Sequence, residues 1–170
     1  AADANAATLL SNALPGKIVG DVDTWVELNT LGSTAARVTA TADGTSVNTP
    51  LNAAELTALG ISNVTADNLD AVIAAIANEA DGAAVDELSK LDSITSTVSG
   101  AFTTALGKVA NYAGDSDNPI GDNGGTPYSA PVVSDYQALG INVTSPADDG
   151  LITSVNTVLA SGPVIGAEDA

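Results

Sequence analysis

The sequence predicts a mainly α chain of tandem small three-helix units joined by acidic Gly/Asp/Pro linkers, with a short β-hairpin signal in the first connector. Three observations carry this: motifs that recur along the chain, apolar residues at helical spacing, and breaks of Gly, Pro and Asp between them. Ala58-Leu59-Gly60-Ile61 returns as Ala138-Leu139-Gly140-Ile141, with Val64-Thr65 and Val143-Thr144 after them and one residue lost in the later copy. Val85 to Ile94 matches Val22 to Leu31 at a constant offset of 63, which also sets Leu9 and Leu10 over Val72 and Ile73. Repetition divides the chain into the second half of a repeat plus connector at 1–50, a complete repeat plus long linker at 51–131, and the first half of a further repeat at 132–170. Ser161 to Asp169 resembles Pro15 to Asp23, so the last residues return to the phase of the first.

In chain order, Leu9 and Leu10 belong to one helix, and Val22, Trp25, Leu28 and Leu31 form the buried stripe of the next. The first connector sets Asp43-Gly44 between Val38–Thr41 and Thr45–Val47, the signature of a two-residue hairpin turn. A short helix precedes Gly60, and another precedes Gly140. Each glycine stands where a left-handed C′ residue ends a helix, with Ile61 or Ile141 packing back under the turn.

Thr65 is placed to cap a helix over 66–79 whose stripe is Leu69, Val72, Ile73 and Ile76, ending near Asp81-Gly82. Asp86 and Glu87 favour the dipole of the helix that follows, and Val85, Leu88, Leu91 and Ile94 make its buried stripe. Val98, Phe102, Ala105, Leu106 and Val109 continue that stripe through Gly100 and Gly107, before 114–125 opens into a loop by composition. Thr144 repeats the part of Thr65, with Leu151, Ile152, Val155 and Val158 behind it.

Composition narrows the chemistry. The net charge of −17 comes from 21 acidic and 4 basic residues, namely Lys17, Arg37, Lys90 and Lys108. Binding to a phosphate backbone by counterion release needs clustered cations, so nucleic acid is excluded as a direct partner. With no His and no Cys, imidazole bases, thiolate nucleophiles, disulfides and thiolate or imidazole zinc sites go together. No stretch approaches the roughly 20 apolar residues of a membrane span, so no membrane insertion is expected. There is no Met, so the chain reads as a processed or excised piece, and its first residues lack a signal-peptide pattern.

The candidate sites are few. Asp115, Asp117 and Asp122 lie in a loop with several hard oxygen donors, as Ca²⁺ requires, and Ca²⁺ is the one cofactor the sequence suggests. Pro119 interrupts the ligand series and no Glu closes it, so a solvated acidic turn is the plainer reading. Asp148-Asp149 reads as helix capping. Asn63-Val64-Thr65 and Asn142-Val143-Thr144 match a glycosylation sequon, but the repeat itself demands Val and a capping Thr there. Gly16-Lys17 reads as a turn. Glu27, Glu55, Glu79 and Glu87 fall on polar helix faces with no pair marked out for acid–base work. Trp25 and Tyr136 occupy stripe or repeat positions and read as core.

With Ala-Leu-Gly-Ile, Val-Thr-x-x-Asn-Leu and Val-Asp-x-Leu/Trp-x-x-Leu in this order, the chain resembles the Ala/Thr/Asp-rich helical tandem repeats of giant extracellular surface and adhesin proteins of aquatic Gram-negative bacteria. Its layout of short helix, Gly-Ile break and two further helices is similar to the three-helix GA module. The resemblance spans about two-thirds of the chain and implies a structural, non-catalytic spacer or adhesin stalk at the cell surface, with neighbouring copies or repeats as partners. The alternative expectation is a self-assembling extracellular filament or lattice subunit whose terminal half-repeats complete each other between copies. A third is a module binding a host or matrix protein.

Overall fold

The computed structural model describes residues 4–45, 47–114 and 129–161. Among them are seven α-helices and no strand: α1 Ala4–Ala13, α2 Trp25–Ala42, α3 Ala53–Leu59, α4 Leu69–Ala77, α5 Leu88–Gly114, α6 Val133–Ala138 and α7 Asp149–Ser161. Tight 3₁₀ turns fall at Leu14–Gly16, Val19–Asp21 and Gly82–Val85. Compactness divides the chain into two units, Ala1–Ser99 and Gly100–Ala170, so the boundary falls inside α5. Repetition in the sequence divides it elsewhere, at 50 and 131.

In the first unit α2 is the common post. α1, α3, α4 and the 82–85 turn all pack on it. Its buried face is Leu31, Thr34, Ala35, Val38, Thr39 and Ala42, mostly small side chains that let neighbouring helices approach closely. The two buried threonines lose nothing by burial, because Thr34 Oγ1 donates to the Thr30 carbonyl and Thr39 Oγ1 to the Ala35 carbonyl. One continuous apolar core runs from Leu9 and Ala13 through α2 to Leu56, Leu59, Ile61, Val72, Ile76, Val85 and Leu91. The helix over 4–13 therefore shares its core with α3, α4 and the start of α5.

Each helix start is set by local chemistry. At α2, Thr24 Oγ1 accepts from the Glu27 N–H while Glu27 Oε2 accepts from the Thr24 N–H, a reciprocal capping box. Asn52 and Glu55 repeat it at α3. The chain leaves α3 through Gly60 at φ +115, and the Ile61 N–H returns to the Leu56 carbonyl, a Schellman-type stop. Gly140, at φ +81, and the Ile141 bond to the Tyr136 carbonyl reproduce this after α6.

Several expectations need correction: Leu106, Leu151 and Val158, placed on buried stripes, are exposed, and α7 begins at Asp149 rather than directly behind Thr144. The Asp43-Gly44 pair is not a hairpin turn: α2 continues to Ala42, and Gly44 at φ +67 lies in the turn that ends it. Thr65 does not start a helix at 66. It exchanges bonds with Asn68, whose buried side chain also donates to the Asn63 carbonyl, so a turn is fixed first and α4 begins at Leu69. Trp25 is exposed rather than buried: the buried face of α2 begins only at Leu31, past its first turn. Ile141 is 48% exposed, whereas Ile61 is 1% exposed under its turn. The continuation of helix through Gly100 and Gly107 is as predicted.

The second unit keeps the positions of the first but changes their chemistry. Its core is Tyr136, Val143 and Ile152, with Val109, Val133 and Val155 packed against it. Counted from the starts of α3 and α4, where the first unit buries Leu51, Leu56 and Ile76, the second places Pro131, Tyr136 and Asn156. Tyr136 Oη donates to Asn156 Oδ1 at 2.6 Å, and Asn156 Nδ2 donates to the Pro131 carbonyl at 2.7 Å. Such a network stabilises only while every member is satisfied. Tyr136→Phe leaves Asn156 Oδ1 without its donor and should destabilise the second unit by about 1–3 kcal/mol. Hydrogen exchange should show faster exchange in α6 and α7 with α1 to α4 unchanged; unaltered α6 and α7 would refute it.

Candidate functional site

The sequence's candidate Ca²⁺ ligands Asp115, Asp117 and Asp122 lie outside the described residues. Among the described residues no three His, Cys, Asp or Glu side chains come together in a way that could hold a metal ion. Asp148 and Asp149 cap, as expected: Asp148 Oδ2 accepts from the Thr144 N–H, and Asp149 Oδ2 accepts from Ser145 Oγ. Asn63 of the first sequon sits at φ +60, and its amide donates to Ser62 Oγ and Ser96 Oγ.

Three of the four glutamates weighed from the sequence, Glu27, Glu55 and Glu87, have structural partners. Glu27 closes the α2 cap, and the Thr24 hydroxyl and N–H hold its carboxyl below the usual range. Glu55 closes the α3 cap and meets Arg37 Nη2 at 2.6 Å; the hydrogen bond from that guanidinium, against a smaller burial effect, lowers its pKa. Glu87 and Asp86 face Lys90, which also donates to the Ala83 carbonyl.

Three of the four cations are thus tied to acids, and two of the pairs are equivalent. Arg37 on α2 reaches Glu55 in the first turn of α3, and Lys108 on α5 reaches Asp135 in the first turn of α6. Burial raises the Asp135 pKa, but the Lys108 and Val132 hydrogen bonds outweigh it and the net shift is downward. Arg37 also donates to the carbonyls of Pro50 and Thr49, so its guanidinium fastens the connector as well as the helix. Among the described residues Lys17 alone of the cations has no carboxylate partner. It lines a cleft of about 430 Å³ with Asp21, Val26, Glu27, Leu31 and Thr57.

Sequence reasoning missed two exposed apolar faces. On the first unit Ile18, Val19, Trp25 and Val26 are 71, 80, 78 and 71% exposed. On the second, Val132, Ile141, Leu151 and Val158 are exposed, and Val132 borders a groove of about 510 Å³ that Pro131, Val133, Ile152 and Asn156 also line. The signal was present in the aligned copies. Ile18 stands opposite Asp81, Val26 opposite Ser89, and Val132 opposite Asn52, apolar against polar each time.

The acid limb of stability follows from the two joints. The folded pKa values of Glu55 and Asp135 lie below their unfolded ones, near 4.3 and 3.9, so their contribution is present above those values and lost as pH falls through the folded ones. Arg37→Met should therefore be less stable than the wild-type chain near pH 7, and the gap should narrow at about pH 3. Urea midpoints at both values measure this, and a gap independent of pH would count against it. Comparison with protein-family models, with curated proteins and with solved structures finds no match.

Proposed function

We propose that this chain is a structural, non-catalytic run of tandem three-helix units from an extracellular bacterial surface protein, serving as a spacer or adhesin stalk. In this reading α3, α4 and α5 form the complete unit, α1 and α2 are the second and third helices of the one before, and α6 and α7 are the first and second of the one after. The observation that carries it is the repeated joint: the cation of a third helix grips the acid in the first turn of the next unit's first helix, as Arg37–Glu55 and again as Lys108–Asp135. The element starts support the same assignment. α2 and α5 begin 63 residues apart, and α3 and α6, like α4 and α7, begin 80 apart.

The extracellular placement rests on the acidic, Cys-free composition and on the resemblance to surface repeats. The non-catalytic reading rests on carboxylates committed to caps and joints. A unit of about 45 residues buries too little surface to stand alone, so neighbouring units share interfaces and their stabilities are coupled.

That coupling is the test. Leu9 on α1 is fully buried in a core shared with Val72 and Ile76 of α4. Leu9→Ala should cost about 2–5 kcal/mol and should speed hydrogen exchange in α3 and α4 as well as in α1 and α2. Exchange confined to α1 and α2 would overturn the array. Labelling of intact cells of the source bacterium by an antibody to the chain tests the location; labelling only after permeabilisation would refute it.

A further inference from the structure

We propose that the two exposed apolar faces mate with each other between copies, so that the chain joins head to tail into an open filament; this rests on the repeat correspondence proposed above. The faces are more apolar than the repeat requires. Asp81 caps the 82–85 turn through its side chain, which accepts from the N–H groups of Ala83 and Ala84. Its counterpart Ile18 can offer no such acceptor, and only Asp21 returns a bond, to the Ile18 N–H. Asn52 caps α3 with its side chain, whereas its counterpart Val132 leaves α6 with only the bond from the Val132 N–H to Asp135. Twice, then, a capping side chain is replaced by an apolar one that the single chain leaves exposed, a loss at the helix start with no return inside the chain.

The chain also displays what such a face takes when it is filled. Leu88, the counterpart of Trp25, packs over the Gly60–Ile61 turn so closely that a Cβ on Gly60 would meet its Cδ1 at 3.3 Å. α6 carries the same turn, Gly140 with Ile141, and there the isoleucine is bare. The seat for Trp25 is therefore the Gly140–Ile141 turn of a second copy. The contact differs from the internal junction. Gly82 lies where a Cβ would stand 3.0 Å from Asn5 Nδ2, and its counterpart Val19 could not enter so tight a fit. Because the two faces are different surfaces, each copy offers one and uses the other, and growth does not close unless the rotation does.

A net charge of −17 on each copy opposes association, so the contact forms once salt screens the repulsion. The experiment is light scattering and electron microscopy of the full chain across concentration, in low salt and in about 1 M NaCl, with fluorescence of Trp25, the single tryptophan. Mass should grow past the dimer in high salt, with Trp25 emission moving to shorter wavelength. One variant, Ile18→Asp with Val19→Gly and Val26→Ser, takes the residues of the aligned copy, and a second combines Val132→Asn with Ile141→Ser. Each should keep its helical circular dichroism and stay monomeric, while an equimolar mixture, with one intact face on each partner, should pair and stop at the dimer. Val132→Asn alone should raise the unfolding midpoint by restoring a cap while weakening assembly.

A wild-type chain that is monomeric throughout, a ceiling at the dimer, or growth that survives both variants would each overturn the proposal. Failure of the repeat assignment shows separately, as an effect of Leu9→Ala confined to α1 and α2.

Discussion

Helices made of Ala, Leu, Val and Thr present narrow apolar stripes, and no pair of them here encloses a core alone. The constraint this sets is that α2 must be buried from several sides at once. Its small side chains, Ala35, Val38, Thr39 and Ala42, allow that approach, and its Thr hydroxyls turn inward to their own helix rather than asking neighbours for partners. Everything else in the first unit is placed by that post: the leucines of α1 and α3, the valine and isoleucine of α4, and the tight turn at Gly82. Gly82 itself donates to Asp43 Oδ1 at 2.7 Å, tying the end of α2 to the turn that follows α4.

α5 holds the same position in the repeat, yet it serves two cores with separate stretches. Leu88, Leu91, Ile94 and Val98 belong to the first unit, and Val109 to the second. Its 27 residues against the 18 of α2 supply the difference. The starts of the two helices are 63 residues apart but their joint cations, Arg37 and Lys108, are 71 apart, so eight residues, about two helical turns, enter between the two duties. In α2 the duties overlap along one shorter helix, and α1, α3, α4 and the start of α5 share a single core around it. The ion pairs matter here because each joins a partly buried cation to a carboxylate that also closes a helix cap, which fixes register as well as attraction.

The second core is smaller and makes up part of the difference with polar contacts. Replacing Leu56 and Ile76 by Tyr136 and Asn156 exchanges transferable apolar area for a directional bond that accepts one arrangement only. Specificity there comes from hydrogen-bond geometry more than from packing volume.

Much of this was legible along the chain. Helical spacing placed the helices, and Gly60 and Gly140 marked two left-handed stops, because these depend on residues within a turn or two of each other. Burial was not legible in the same way. Trp25 and Leu88 occupy one repeat position, and Ile141 and Ile61 another, yet one of each is bare and the other covered. Asp43-Gly44 reads as a hairpin turn in isolation and becomes the end of α2 because the helix gains more by burying Val38 and Ala42 than two short strands could gain by pairing. The helices and the two glycine stops follow from neighbours along the chain. Which of two matching positions is buried depends instead on what packs opposite the side chain, and local periodicity carries no record of that neighbour.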